Sequence, residues 1–321
     1  MPRPRKALIA VDDTPYYHVV SRCVRRTFLC GVDSDTGENY EHRRAWIEQR
    51  IRLLASLFAI DICAYAVMSN HLHLVVKLQP KQASDWSVRD VLLRWTSIHK
   101  GTLLVQRYLA SSTLSAAELD SVQNCVEVYR QRLTSLSWFM KCLNEPIARQ
   151  ANKEDGCTGH FWEARFKSQA LLSNEALLSC MAYVDLNPVR AQIAETPEIS
   201  EFTSIKERLM PTFDLTAAID EQTRKGNLRH FRHPLKPLLS FEGALVEHAQ
   251  HGIMFNLSDY LGLVDYTART VCRRKPRADA GLLPPILQRL SLNQHDWLER
   301  ATQFEARYTT FFSRRALRDT A

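Results

Sequence analysis

Two histidines separated by one residue, His71 and His73, stand in the stretch Asn70-His71-Leu72-His73-Leu74-Val75-Val76. Alternation along a strand puts both imidazoles on one face and Leu72, Leu74 and Val76 on the other. Imidazoles held ~7 Å apart by strand geometry can close on one divalent cation when a third group arrives from elsewhere in the chain. Taken alone, such a pair reads as two half-exposed histidines on a sheet. A second segment changes that reading: Met181-Ala182-Tyr183-Val184-Asp185-Leu186-Asn187-Pro188-Val189-Arg190-Ala191, which offers a phenol, a carboxamide and a guanidinium within nine residues.

The elements that must position these groups follow from residue patterning. Residues 16–23 are rich in β-branched and aromatic side chains and read as a first strand, with Arg22, Arg25 and Arg26 at its end. Trp46, Ile47, Ile51, Leu54 and Phe58 recur at helical spacing, which predicts an amphipathic helix over 41–59. Residues 60–67 form a second strand, Met68-Ser69-Asn70 turns into the histidine strand, and Pro80 ends it. Residues 80–134 are mostly helix-forming, with Val91, Leu92, Trp95 and Ile98 at helical spacing, and read as a helical insertion. Leu136, Phe139, Met140, Leu143 and Ile147 mark a helix over 136–152 that Pro146 should bend or delay.

Residues 166–172 read as the last strand, bearing Lys167 and, just before it, Arg165 on one side. Ser173 is placed to cap the next helix, with Glu175 in its first turn. On that helix Tyr183 projects from the less apolar side, Asp185 is expected to face solvent or serve as a local base, and Pro188 stops the helix. The order β-α-β-β-α-β predicts an α+β protein with a ferredoxin-like antiparallel sheet, the first strand and the histidine strand side by side in its middle, and packed helices. Residues 1–210 are read as one domain carrying the insertion. Residues 211–321, which open on a polar, basic segment over 224–234, are read as a helical accessory domain. Within it, an amphipathic stretch over 257–271 leads into Arg273-Arg274-Lys275-Pro276-Arg277, a basic run of a kind more often solvated than DNA-reading.

A formal charge of +7 over 321 residues is consistent with a polyanionic partner such as nucleic acid. Eight cysteines without a C-x-x-C pair, and a basic start with no apolar stretch behind it, disfavour a disulfide framework and a secretory signal, so a reducing cytoplasm is the expected setting. Cys23 and Cys30 near His18 fit no usual zinc spacing and read as buried thiols. No apolar run approaches the ~20 residues a bilayer span needs. Arg3, Arg5 and Lys6 with two prolines make a basic arm ahead of the first strand.

Three separated motifs in one order carry a resemblance: residues 68–76, then Gly159-His160-Phe161-Trp162-Glu163-Ala164-Arg165-Phe166-Lys167-Ser168, then residues 181–191. With Pro2-Arg3-Pro4-Arg5, Tyr17-His18-Val19 and Arg22 at the start, the chain resembles the single-tyrosine HUH transposases. The branch it is most similar to is that of the REP-associated tyrosine transposases, whose pattern ends in Tyr-x-x-Leu-Asn-Pro-Val-Arg-Ala. The likeness spans roughly the first two thirds of the chain, interrupted by the insertion. It implies that Tyr183 is the nucleophile, that His71 and His73 hold Mg²⁺ or Mn²⁺, and that the third ligand falls at Asn187. The i, i+4 spacing puts Asn187 on the tyrosine's face, although an Asn before Pro at a helix end also serves to satisfy backbone groups.

The resemblance further implies single-stranded or hairpin DNA as partner, and a tyrosine helix docked on its own sheet or on that of a second copy, as monomer or homodimer. Cleavage by a phenol would leave a phosphotyrosine and a free 3′-hydroxyl. A phenol with an ordinary pKa near ~10 needs a polarised phosphate, which a bound cation supplies. Arg22, Arg25, Arg26, Arg165, Lys167 and Arg190 are candidates to hold the DNA backbone, with Asp185 an alternative partner for Arg190. The rival reading is a domesticated DNA-binding protein of the same fold that no longer cuts. A replication-initiator or relaxase-like nickase is disfavoured by the motif order.

Overall fold

A computed structural model of the chain describes residues 9–24, 29–33, 37–243, 252–272 and 293–304. Strands β1 (Tyr16–Arg22), β2 (Ile60–Val67), β3 (His71–Leu78) and β4 (Lys167–Ala170) form one antiparallel sheet in the order β2-β3-β1-β4. Helix α1 (His42–Leu57) connects β1 to β2, and α6 (Leu136–Glu154) precedes β4, which gives the ferredoxin-like α+β arrangement expected from the sequence. β1 and β3 are the central pair, with Val20 opposite His73 and Arg22 opposite His71.

Both faces of this sheet are covered. On one face Tyr17 and Val19 of β1 and Leu72, Leu74, Val76 and Leu78 of β3 pack with α1 and α6. On the other, Val75 joins Cys63, Ala64 and Ala66 of β2 beneath α7 (Asn174–Asp185). β2 serves both faces through a bulge at Cys63, where the pairing steps from Ile62 opposite Val76 to Ala64 opposite Val75. The extra residue shifts the alternation, so that Ile60 and Ile62 before it, and Tyr65 and Val67 after it, all reach the same apolar cluster. The β2–β3 turn is fixed from α1, where Arg44 donates to the Val67 carbonyl and, at 3.2 Å, to Ser69 Oγ.

The insertion is helical, as read: α2 (Pro80–Ser84), α3 (Val88–Ile98), α4 (Leu103–Leu109) and α5 (Ala116–Leu133). Ser87 with Asp90 and Ser115 with Glu118 form capping boxes at the starts of α3 and α5. These helices extend the α1/α6 cluster through Val91, Trp95, Val126 and Leu133. Pro146 lies inside α6 without ending it. A proline nitrogen gives up the bond to the carbonyl four residues back, and here that carbonyl, of Cys142, instead accepts from Arg50 Nε at 2.9 Å.

After α7 come a one-turn helix α8 (Asn187–Arg190), then α9 (Ser204–Leu209), α10 (Leu215–Arg224), α11 (Leu257–Cys272) and α12 (Gln294–Thr302). Described residues after 211 build onto both clusters: Ala218, Leu228 and Leu238 join the α1 side, while Tyr260, Leu263, Trp297 and Phe304 join the α7 side. Lys236 Nζ reaches Asp61 Oδ1 at 2.8 Å, and the Leu239 N–H donates to the Ile62 carbonyl at 2.8 Å, fastening this stretch to β2. Cys23 and Cys30 are buried on the apolar face with Leu29. Among the described residues no helix is long and apolar enough to cross a membrane.

Candidate active site

The face of β3 that carries the histidines is a buried layer and not the open surface that strand alternation alone suggests. His73 is completely buried and His71 half-buried. The two rings are 4.6 Å apart and nearly perpendicular. His71 Nδ1 pairs with the Asn70 side-chain oxygen, an acceptor, so Nδ1 carries the proton and Nε2 keeps the lone pair. A third imidazole belongs to the group. His18 of β1 lies diagonally across from His73, the two rings edge to edge and within 8° of parallel with centres 5.2 Å apart, and His18 Nε2 3.0 Å from His73 Nδ1.

Helix α7 supplies the phenol. Ser173 accepts from the Ala176 N–H as expected, and Glu175 occupies the first turn. The helix is buried all round, Tyr183 included at 8 % exposure, so the less apolar side that presents Tyr183 faces the sheet and not water. The Tyr183 ring stands edge-on to His73 at 5.6 Å and to His18 at 6.3 Å. Phe304, just past α12, closes the group at 5.9 Å from Tyr183 and 5.5 Å from His18. Phenol and imidazoles thus meet within one chain.

The end of α7 departs from expectation. The helix stops at Asp185, and Pro188 sits in the first turn of α8, where its missing N–H costs nothing. Tyr183 and Asn187 therefore belong to successive helices, and the argument from one shared helical face does not hold. Asn187 is buried, and its Nδ2 has no hydrogen-bond partner among the described residues. The Arg190 guanidinium lies 4.8 Å from the Tyr183 ring centre, with Nη1 buried and also unpartnered. Asp185 is not exposed, nor does it pair with Arg190. Fully buried, it accepts from Ser204 Oγ, the Ile205 N–H at 3.0 Å and Tyr260 Oη at 2.6 Å, which ties α7 to α9 and α11. Burial pushes its carboxyl above the usual range.

The other sequence candidates divide. Lys167 opposes Val20, which opposes His73, so lysine and histidine share one row across β4, β1 and β3 on the same face. Arg22 is exposed beside His71. Arg165 precedes β4 and lines an open cleft of about 670 Å³ between α6 and residues 159–166, with Lys141, Asn144, Phe161 and Trp162. The cleft's aromatic wall extends the sheet: Val24 N–H donates to the Phe161 carbonyl, Glu163 N–H to the Arg22 carbonyl, and Trp162 Nε1 to the Asn144 carbonyl. Arg25, Arg26, the basic arm and the 273–277 run lie outside the described residues. Sequence reasoning missed His18 and Phe304. The signal for His18 was parity, since residues 16, 18 and 20 share one face of β1.

Burial pushes His18 down to about 3 and His71 down to about 4, and takes His73 well below its ordinary value, so all three rings are neutral at pH 7. The neighbours that add to this are other histidines, Arg22 and, for His73, Arg190. Among the described residues no cluster of three or more His, Cys, Asp or Glu is placed to hold a metal ion. His71 and His73 do fit one as donors, being neutral imidazoles of a kind that suits Mn²⁺ better than Mg²⁺. Asn187 fits only through its carbonyl oxygen, since the amide nitrogen cannot ligate a cation.

No protein-family model matches the chain, and a comparison with curated proteins finds no match. Among solved structures, one of a REP-associated tyrosine transposase bound to a REP hairpin is similar over 80% of this chain and 100% of that chain, with 10% identity and a TM-score of 0.32. At that TM-score the functional reading rests on the residues of this chain.

Proposed function

We propose that the protein is a metal-dependent single-strand DNA transposase or endonuclease that cuts and rejoins hairpin-bearing DNA through a covalent phosphotyrosine. The observation that carries this reading is the meeting of Tyr183 with His73, which in turn touches His71, in a buried layer beside the guanidiniums of Arg190 and Arg22. Guanidiniums beside a buried phenol suit an anionic phosphodiester. Tyr183 Oη attacks phosphorus, the P–O3′ bond breaks, the phenol proton is lost, and the departing O3′ takes up a proton. His71 and His73 would hold the divalent ion, Mg²⁺ or Mn²⁺, with Asn187 as third ligand through its carbonyl oxygen. When bound, such an ion polarises a non-bridging phosphate oxygen and offsets charge in the transition state.

Arg190 over the phenol, Arg22 beside His71 and Lys167 in the His73 row would orient the strand's backbone. Arg165 and the aromatic cleft offer a flanking contact. Since the site is built within one chain, the scheme needs no second copy. The test is incubation with labelled hairpin DNA and Mn²⁺: a covalent adduct in the wild type and none in Tyr183→Phe supports the enzyme. The cover that Phe304 places on Tyr183 favours a second reading, a DNA-binding protein that does not cut. Hairpin binding with no adduct from the wild type would establish it.

A further inference from the structure

Outside the expected set of residues, the group with the most specific geometry is His18. His18 is 2 % exposed, its ring lies edge to edge with that of His73 and within 8° of parallel, and it is bonded Nε2 to Nδ1 at 3.0 Å. It touches neither His71 nor Asn187 by any ring contact or hydrogen bond, so its reach into the site runs through His73 and the edge of Tyr183. An imidazole that ligates a cation or accepts from a substrate must offer a bare nitrogen, and the hydrogen bond made by its other nitrogen decides which one is bare. For His73 the nitrogen engaged by the protein is Nδ1.

We infer that His18 is a positioning residue: its Nε2 accepts the Nδ1–H of His73, which fixes the ring in place and leaves the Nε2 lone pair of His73 as the one offered to the active site. The alternative proton placement, with His18 donating to His73, puts the remaining proton of neutral His73 on Nε2 and makes the ring useless as a ligand. Strand geometry enforces the contact. His18 faces Val75 and His73 faces Val20, so the two histidines are diagonal neighbours on the central strand pair. Phe304 backs the His18 ring at 5.5 Å and keeps it from swinging away. The inference rests on the site proposed above, but it concerns a proton position that exists with or without DNA or metal.

The test uses the full chain, metal-free and labelled with ¹⁵N-histidine, with the His73 signals assigned by their loss in His73→Gln. Long-range ¹H–¹⁵N spectra should show the proton of His73 on Nδ1 and a bare Nε2 in the wild type. The proton found on Nε2 overturns the inference, and this arm needs no variant at position 18. His18→Gln, whose amide oxygen can accept the same bond, should keep the pattern. His18→Phe, which keeps an aromatic ring against Phe304 and Tyr183, should lose it, and retention of the wild-type pattern there would also overturn the role. Mn²⁺ binding followed by electron paramagnetic resonance should weaken about 10–100-fold in His18→Phe and within about threefold in His18→Gln. Equal Mn²⁺ affinity in all three proteins contradicts the positioning role. A wild type that binds no Mn²⁺ removes the metal from the proposed function, while the proton position still decides the part played by His18.

Discussion

The two faces of one sheet do different work with the same strands. On the α1/α6 side, Leu72, Leu74, Val76, Tyr17 and Val19 pack into an apolar cluster. One residue away along each strand, the α7 side buries three imidazoles, a phenol and, beneath α9 and α11, a carboxylate with three donors. An apolar face gains stability from area and packing alone. A polar buried face is stable only where each group meets its partner, and just beyond Tyr183 in the chain Asn187 Nδ2 and Arg190 Nη1 are buried without a hydrogen-bond partner among the described residues. The lesson is that burial by itself does not separate core from site; the chemistry of the groups that are buried does.

That contrast can be broken by mutation. Leu74→Ala on the apolar face should cost roughly 2–5 kcal/mol in denaturant unfolding, whereas Tyr183→Phe should change stability by no more than about 1.5 kcal/mol while abolishing any adduct. Comparable losses would erase the distinction. Asp185→Ala strands Tyr260 Oη, Ser204 Oγ and the Ile205 N–H, and is expected to destabilise by about 2–3 kcal/mol. A change under half of that in the same unfolding experiment would mean that water replaces the carboxylate there.

Acid should act on the polar face with a definite sign. His18 and His71 are held at about 3 and about 4, below the unfolded histidine value near ~6.5. Between those limits the unfolded chain binds more protons, so the stability they contribute is complete above the unfolded value and is lost as pH falls through the window. Asp185, raised by burial, has the opposite sign, its contribution being greatest at low pH and lost as pH rises through its folded value. Melting temperature followed from pH 7 to pH 4 should therefore fall less steeply in His18→Gln than in the wild type; parallel curves would contradict the burial of a neutral His18. The smallest effect belongs to Lys167→Ala, with stability within about 0.5 kcal/mol. Its salt dependence of DNA binding should be shallower by about one unit of slope, and an unchanged slope would take Lys167 out of the DNA contact.

Much of this architecture was legible along the chain because it is local. β2 and α1 were read within two residues of their limits from apolar runs and helical spacing, and Ser173 announced the start of α7. What escaped depends on partners distant in sequence. His18 looks like one polar residue in a β-branched strand until the β1–β3 register sets it beside His73. Asp185 was expected at the surface because periodicity ranks the faces of a helix without knowing that α9 and α11 will cover the polar one. Pro146 was expected to bend a helix or delay its start, yet α6 begins ten residues ahead of it, and Arg50, ninety-odd residues earlier, satisfies the carbonyl it abandons. The pair of histidines was visible at once, while the reason for their burial lay in segments whose own patterns are weak.

The most direct measurement is to find where DNA becomes attached. Hairpin DNA and Mn²⁺ are incubated with the full chain, which is then digested with trypsin. Cleavage after Lys167 and Arg190 releases a peptide, residues 168–190, whose only tyrosine is Tyr183. The expected result is a nucleotide mass on that peptide, absent from the His71→Ala/His73→Ala double variant. Strand cleavage with the nucleotide on a different tyrosine-bearing peptide, or on none, would contradict the assignment of Tyr183 as the nucleophile.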